Sequence, residues 1–221
     1  MKKAAIGLSV ALNVILLVAA FGGYWALSSG YLIRLFIDPA HERWVSQFEL
    51  LPVTGEHTVF VGDSITAGGA WHELFPDLQV VNRGIGGDVT TGVLARLPQI
   101  ASGEPRQVFL LIGTNDLAFG VSEEEVVANV RRIVEEISAA SPQTEIYVQS
   151  VLPRAVEYRD RVERLNQAVK DAVAGSANWI DLYPLFLADD GSIDDGFSND
   201  ELHLNGAGYL VWRDAIRDYV Q

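Results

Sequence analysis

The chain has 221 residues, 49% of them hydrophobic, and a formal net charge of −13. Its apolar content suffices for one well-packed domain. Its acidic charge argues against nucleic acid as a partner, because phosphate backbones are bound through Lys and Arg patches. Since the sequence contains no cysteine, disulfides, thiolate nucleophiles and cysteine-ligated zinc are excluded.

An uncharged apolar stretch follows the N-terminal lysines. Residues 4–27 carry no charged side chain and are long enough to cross a bilayer as a helix. The stretch exceeds the apolar region of a usual signal peptide, and Trp25 lies where an interfacial aromatic belt is expected. Cleavage is the alternative, since the small residues VAA at 18–20 form an acceptable site. We expect residues 1–27 to be a transmembrane anchor or signal segment, with the catalytic part outside the cytoplasm (periplasmic or extracellular), or secreted if the segment is cleaved.

The remaining chain divides into a connecting segment and a regular domain. Residues 28–54 mix apolar and charged residues and are interpreted as a juxtamembrane helix or linker, and residues 55–221 as the domain. In the domain, β-rich runs alternate with helical patterns, which predicts a five-stranded parallel sheet covered on both faces. The fold expected is a three-layer α/β/α, flavodoxin-like sandwich. The predicted strands are Thr58–Val61, Gln79–Asn82, Val108–Ile112, Ile146–Val151 and Trp179–Leu182.

Three long helices are predicted from apolar residues at helical spacing. The first begins at Ser122, which forms a capping box with Glu125. The last begins near Asn205. The apolar stripes of the three helices are Val126, Val130, Ile133, Val134 and Ile137; Val162, Leu165, Val169 and Val173; and Tyr209, Trp212, Ile216 and Tyr219.

Polar motifs follow the first three predicted strands: GDS at 62–64, NRGIGGD at 82–88 and GTND at 113–116. Because ligands of open parallel sheets bind beyond the carboxyl ends of the strands, these motifs are expected to converge. The serine at position 64 is then either a nucleophile at the edge of the sheet or a cap of the following helix.

A serine nucleophile needs a base, usually an imidazole oriented by a carboxylate. Of the four histidines, His203 lies three residues after Asp200, close enough for one loop to join their side chains. Taken alone, an Asp-x-x-His pair before a helix is more often a helix cap and a surface histidine than a catalytic pair. The other histidines have no evident partner acid in the sequence: His41, His57 and His72.

Attack on an ester places negative charge on the carbonyl oxygen, which preorganised donors must stabilise. The candidate donors are the backbone N–H groups of Ser64 and Gly87 and the side-chain amide of Asn115. The alternative is that the NRGIGGD and GTND motifs, which contain Gly87 and Asn115, are plain turns.

Four motifs in this order resemble the SGNH hydrolases, also called GDSL esterases or lipases. They are GDSI at 62–65, the glycine block ending in Gly87, GTND at 113–116 and DELHL at 200–204. The resemblance covers roughly residues 55–221. It implies that Ser64 is the nucleophile and an oxyanion donor, that Gly87 and Asn115 are the other donors, and that Asp200 orients His203 as the base. The stretches NRGIGGDVTTGVLARL and VQSVLPR are similar to the branch with platelet-activating-factor acetylhydrolase-like and carbohydrate acetylesterase-like proteins.

Other chemistries fit less well. The serine lacks the second glycine of the G-x-S-x-G elbow of α/β-hydrolases, and no nucleotide-binding P-loop is present. A hydrolytic metal site would have only His203 as a nitrogen ligand. We therefore expect a serine esterase that needs no metal or cofactor.

The expected substrate is a short-chain, acetyl-type ester of a small molecule, glycan or lipid. Leu117 and Phe119 either form an apolar wall for the acyl group or are core residues of the next helix. Alternatives are a lysophospholipase or thioesterase, an acyltransferase to a sugar, and a membrane-tethered binding module. The sequence does not predict the oligomeric state.

Overall fold

The structure is a computed structural model that describes residues 31–221, with side chains described from residue 37. The predicted anchor at residues 1–27 lies outside the described residues and stays a prediction. Within the part of the chain that is described, no helix is both long and apolar enough to span a membrane.

Five parallel strands form one sheet in the order β2-β1-β3-β4-β5, the order of flavodoxin-like sheets. The predicted five-stranded parallel sheet is confirmed. β1 and β3 are buried along their whole length, as expected for inner strands of a sheet that is covered on both faces. The strands are β1 (Thr58–Gly62), β2 (Val80–Gly84), β3 (Gln107–Leu111), β4 (Glu145–Gln149) and β5 (Asn178–Ile180).

Helices follow or precede each strand and form the two outer layers. The helices are α1 (Tyr31–Leu50), α2 (Ser64–Ala67), α3 (Trp71–Leu74), α4 (Thr90–Arg96), α5 (Pro98–Ala101), α6 (Thr114–Ala118), α7 (Glu123–Ala140), α8 (Arg159–Val173) and α9 (Gly206–Ile216). Two 3₁₀ turns, Val156–Tyr158 and Tyr183–Leu185, complete the set.

The ends of three strands differ by two residues from the sequence-based prediction, and the last helix is shorter than predicted. β4 and β5 end two residues early, at Gln149 and Ile180. β2 continues to Gly84, two residues beyond its predicted end, because Arg83 and Gly84 pair in register with Val61 and Gly62 of β1. The NRGIGGD motif therefore begins inside a strand. The final helix ends at Ile216, so Tyr219, which is 46% exposed, does not continue its buried stripe.

Successive side chains of each strand point to opposite faces of the sheet, so they pack into two separate hydrophobic cores. Val59 and Val61 of β1 pack in the core beneath α4, α5, α7 and α8. Phe60, between them, packs in the opposite core with Ile65 of α2, Trp71 of α3 and residues of α9. This alternation gives the three layers.

An aromatic ladder runs across the second face. The parallel register sets Phe60 beside Phe109 and Phe109 beside Tyr147, with ring centroids 5.1 and 4.6 Å apart. Trp71 stacks on Phe60 at 4.0 Å, and Trp212 meets Trp71 edge-on at 4.7 Å. Aromatic packing therefore attaches α3 and α9 to the centre of the sheet, next to the ends of β1 and β3.

The compact α/β unit extends from His41 to Gln221. Residues before it belong to a second unit, of which the structure describes helical residues 31–40. Part of the predicted linker packs on the sheet domain: Phe48 is buried beneath the guanidinium of Arg83, and Gln99 donates a hydrogen bond to the carbonyl of Val45.

Candidate active site

The serine of the GDS motif opens a short helix at the end of the central strand. β1 ends at Gly62, where a Cβ would overlap with the Leu111 carbonyl and the Thr66 side chain. Asp63, not Ser64, caps helix α2, since its Oδ1 accepts a hydrogen bond from Ile65 N at 2.9 Å. The hydroxyl of Ser64 is therefore left for another partner.

That partner is His203, which lies 139 positions further along the chain. Ser64 Oγ is 2.9 Å from His203 Nε2, and His203 Nδ1 is 2.7 Å from Asp200 Oδ2. Because a carboxylate only accepts hydrogen bonds, Nδ1 carries the imidazole proton, and Nε2 is free to accept from the serine hydroxyl. The structure thus brings the three predicted residues together in the order that a nucleophile, its base and an orienting acid require.

Several donors hold the carboxylate of Asp200 in place. Its Oδ1 accepts hydrogen bonds from His203 N at 2.7 Å and from Leu202 N at 3.1 Å. Glu201, between the partners, has a φ of +59°, a left-handed conformation that tightens the turn. The hydrogen bond from His203 lowers the pKa of Asp200 below its ordinary value. The acid therefore stays ionised and keeps the imidazole in one tautomer.

The predicted oxyanion donors come from the three segments that follow β1, β2 and β3, at the same edge of the sheet. Among residues 31–221, the backbone N–H groups of Ser64 and Gly87 have no hydrogen-bond acceptor. Gly87 has a φ of +78°, which favours glycine at this position. Asn115 donates one amide hydrogen to the carbonyl of Asp88 at 2.9 Å and keeps a second one available.

A second contact joins the same two loops. The carboxylate of Asp116 accepts from the Thr90 hydroxyl at 2.6 Å and from the Thr90 backbone N–H at 3.1 Å. It thereby caps α4 and fixes the position of the adjacent Asn115. Burial raises the pKa of Asp116, while the hydrogen bonds from Thr90 oppose the shift. The acid of the GTND motif therefore has a structural role in holding the two loops together.

The GDSL-like lipase/acylhydrolase family model matches residues 60–211, a span that holds all of these residues. The chain belongs to that family. It is a carboxylic ester hydrolase of the SGNH type, and acts on esters.

Relatives and solved structures agree with this membership. Human platelet-activating factor acetylhydrolase IB subunit alpha1 is 35% identical over 162 residues, which cover 68% of this chain and 69% of that protein. A solved structure from Streptococcus pneumonia, provisionally named as a platelet activating factor, is 26% identical with a TM-score of 0.80, covering 88% of this chain and 99% of that one. A GDSL-like lipase from Bacteroides thetaiotaomicron has the same fold at 21% identity and a TM-score of 0.72, covering 81% and 96%.

The acid directly before the serine is deeply buried. Asp63 is fully buried, and its Oδ2 has no hydrogen-bond partner within the described residues. Burial, reinforced by the nearby charges of Asp88 and Asp116, raises the pKa of Asp63 to about 7, although the hydrogen bond from Ile65 opposes the shift.

Within the described residues, no group of three His, Asp or Glu side chains is arranged to hold a metal ion.

The two residues considered for the acyl wall have different environments. Leu117 is 1% exposed and belongs to the core beneath α7 and α8. The core interpretation therefore applies to Leu117. Phe119 follows α6 directly and is 42% exposed, so its ring is accessible to a ligand.

Sequence analysis missed three contacts at this site. His41 has a partner acid after all, since its Nε2 lies 3.2 Å from Asp88 Oδ1. Tyr209 donates its hydroxyl to the carbonyl of Ile65, and Arg154 donates to both oxygens of Thr114. All three pairs join distant parts of the chain, and no local sequence pattern indicates them.

Proposed function

We propose that this SGNH hydrolase cleaves short-chain, acetyl-type carboxylic esters through an acyl-enzyme on Ser64. The observation that carries the proposal is the continuous chain of contacts from Ser64 Oγ to His203 Nε2, 2.9 Å, and from His203 Nδ1 to Asp200 Oδ2, 2.7 Å. Both distances are within hydrogen-bond range and need no rearrangement before reaction.

In the first half-reaction, Ser64 Oγ attacks the carbonyl carbon while His203 Nε2 takes the hydroxyl proton. Negative charge develops on the carbonyl oxygen and is stabilised by the N–H groups of Ser64 and Gly87 and by the amide of Asn115. Collapse of the tetrahedral intermediate breaks the ester bond, and the imidazolium gives its proton to the leaving alcohol. Asp200 stabilises the imidazolium throughout.

In the second half-reaction, water attacks the acyl-enzyme as His203 takes its proton, and the acid leaves while Ser64 regains its hydrogen. The side chains of His203 and Asp200 are 44% and 49% exposed, so that water can reach the imidazole. The second half-reaction therefore needs no opening of the site.

Support for a short acyl group comes from the relatives. The human protein that is 35% identical is named an acetylhydrolase. Leu117 is buried in the core and so is not available to line a long acyl groove, which leaves Phe119 as the exposed apolar side chain beside the GTND motif. A longer-chain substrate, as in the lysophospholipase or thioesterase alternative, would need more apolar surface than this ring supplies.

The test is hydrolysis of p-nitrophenyl esters of increasing acyl length by the full chain in detergent. We expect kcat/KM to be highest for acetate or propionate and to fall steeply beyond butyrate. Ser64→Ala should abolish turnover, whereas Ser138→Ala, an exposed serine on α7, serves as the matched control and should not change it. Residual activity of Ser64→Ala equal to that of the wild type would overturn the proposal, and a long-chain optimum would favour the lysophospholipase alternative.

Hydrolysis and acyl transfer share the acyl-enzyme and are distinguished by their products. A sugar such as xylose is added at increasing concentration to a p-nitrophenyl acetate reaction, and acetate and acetyl-sugar are quantified. Free acetate as the dominant product at every sugar concentration supports the esterase. Acetyl-sugar that rises in proportion to the sugar would identify an acyltransferase.

We also propose that residues 1–27 anchor the chain in the membrane, with the catalytic domain outside the cytoplasm. The support is the uncharged run at residues 4–27 after two lysines. Protease treatment of intact bacterial spheroplasts that express a C-terminally tagged chain should remove the tag. Protection of the tag, or its recovery in the soluble cytoplasmic fraction, would contradict the placement.

A further inference from the structure

A histidine on the N-terminal helix contacts the loop after β2, which carries the candidate oxyanion donor Gly87. His41 lies on α1, and its Nε2 is 3.2 Å from Oδ1 of Asp88, 47 positions away. The carboxylate of Asp88 is only 1% exposed, whereas His41 is 26% exposed. Because a carboxylate accepts hydrogen bonds, His41 is the donor, and it reaches Asp88 from helix α1.

The other oxygen of the same carboxylate is held from inside the domain. Asp88 Oδ2 accepts a hydrogen bond from Arg96 Nε at 2.8 Å, and Arg96 is 2% exposed. The same guanidinium donates through Nη2 to the carbonyl of Gly62 at 3.2 Å, directly before the GDS acid. Asp88 is thus fixed between a buried arginine, which also reaches the nucleophile turn, and the histidine of α1.

The backbone of Asp88 connects this pair to the oxyanion donors. Its carbonyl accepts the amide hydrogen bond of Asn115, and its own nitrogen is joined by one peptide bond to Gly87. Two of the three proposed donors therefore depend on where Asp88 lies. A movement of Asp88 would therefore displace both the backbone next to Gly87 and the acceptor of the Asn115 amide.

Space for the contact is provided on α4. A Cβ at Gly92 would overlap with Asp88 Oδ1 and would lie 3.6 Å from His41 Nε2. A glycine at this position of the helix lets the carboxylate approach the α4 backbone while it faces α1. The contact is therefore accommodated by three separate elements: α1, the loop after β2, and α4.

We propose that His41 is a positioning residue for the oxyanion hole, so that the N-terminal helix completes the active site through Asp88. The inference rests on the proposed function. Without His41, the one hydrogen bond that Oδ1 retains among the described residues is from Val89 N at 3.0 Å, and Arg96 attracts the carboxylate from one side alone. The loop then relaxes toward Arg96 and the oxyanion donors lose their alignment. Substrate binding in the ground state depends much less on that alignment.

The experiment compares His41→Leu and His41→Gln in the full chain with p-nitrophenyl acetate. For His41→Leu we expect kcat to fall about 10-fold with KM changed by less than about 2-fold, since misalignment weakens stabilisation in the transition state. Gln places an amide donor near the position of Nε2 and should restore most of kcat. His72→Leu is the matched control, because His72 is 75% exposed on α3, and it should leave kcat unchanged.

A second readout reports on the oxyanion hole itself. Diethyl p-nitrophenyl phosphate modifies the serine of such enzymes, and its phosphoryl oxygen takes the place of the carbonyl oxygen. Its inactivation rate should fall in His41→Leu by about the same factor as kcat. If His41 only attached helix α1 to the domain, His41→Leu would lower the melting temperature. It would leave kcat and the inactivation rate of the folded protein unchanged.

The outcomes separate the two proposals. The inference is overturned if His41→Leu keeps the wild-type kcat, if its effect is on KM alone, or if His41→Gln is as slow as His41→Leu. Should His41→Leu not fold, His41→Asn replaces it, because this amide is one methylene too short to reach Asp88. If Ser64→Ala is as active as the wild type, the proposed function fails and the role of His41 fails with it.

Discussion

The side-chain amide of Asn115 donates a hydrogen bond to the backbone carbonyl of Asp88 over 2.9 Å. This bond joins the loop after β3 to the loop after β2, across the end of β1, where Ser64 lies. It uses one amide hydrogen and fixes the side chain, so that the other hydrogen has a defined direction. The site is therefore preorganised by contacts between its own loops before any substrate binds.

Replacing Asn115 with Ala removes a proposed oxyanion donor and the hydrogen bond to the Asp88 carbonyl. We expect kcat for p-nitrophenyl acetate to fall about 100-fold, the usual cost of one such donor, with KM nearly constant. Steady-state kinetics of the full chain, with the melting temperature as a check on folding, test this. An increase in KM at constant kcat would show that Asn115 binds the substrate in its ground state instead.

Replacing Asp200 with Asn should reverse the tautomer of His203. The Asn Oδ1 is still needed to accept from His203 N and Leu202 N, so the NH₂ group faces His203 Nδ1. Nδ1 must then accept a hydrogen bond from this NH₂ group, so the imidazole proton moves to Nε2. A protonated Nε2 can no longer take the proton of the Ser64 hydroxyl.

We expect kcat to fall about 1,000-fold in Asp200→Asn with the fold intact. Asp195→Asn, an exposed acid of the same loop, is the matched control and should stay within about 2-fold of the wild type. Similar losses in both variants would mean that the loop, rather than the imidazole, is affected.

The buried Asp63 predicts a pH-dependent stability. Its folded-state pKa is raised to about 7 from 3.8, so folding takes up a proton between these values. The free energy of unfolding therefore decreases as the pH rises from about 4 to about 7 and levels off above that. Asp63→Asn keeps an oxygen acceptor for Ile65 N and removes the titration.

Between pH 5 and pH 8, the free energy of unfolding of the wild type should decrease by about 2 kcal/mol more than that of Asp63→Asn. Thermal unfolding followed by circular dichroism at both pH values measures the difference, which corresponds to several degrees in Tm. Parallel pH dependences of the two proteins would show that Asp63 does not titrate in this range.

Trp212 of α9 should be important for stability. It is fully buried, lies edge-on to Trp71 and donates from Nε1 to Gln149 Oε1 at 2.7 Å. Phe at this position leaves a void and an unpaired oxygen on the buried Gln149, at a cost of about 3 kcal/mol. Trp44→Phe, at a side chain that is 46% exposed, should change stability by less than about 0.5 kcal/mol. Denaturant unfolding of both variants tests the contrast, and equal effects would contradict it.

Much of the fold follows from local patterns. Short β-rich runs and helical apolar stripes predict the five strands to within about two residues, and the Ser122 cap is observed, with its Oγ accepting from Glu125 N. Such patterns work because strand and helix periodicities act over a few residues. The end of β2 was missed because it depends on pairing with β1, and Tyr219 because the chain leaves the helix at Ile216.

The motifs themselves determined the candidate chemistry: a serine after the first strand, an Asp-x-x-His pair before the last helix, and glycine and asparagine between them. Only the tertiary structure decided that Asp63 rather than Ser64 caps α2, that Leu117 is core, and that His41 reaches Asp88. The physical reason is distance along the chain. Short-range patterns encode which elements form, whereas contacts between residues 41 and 88, or 64 and 203, arise only when the packed sheet brings the loops at its edge together.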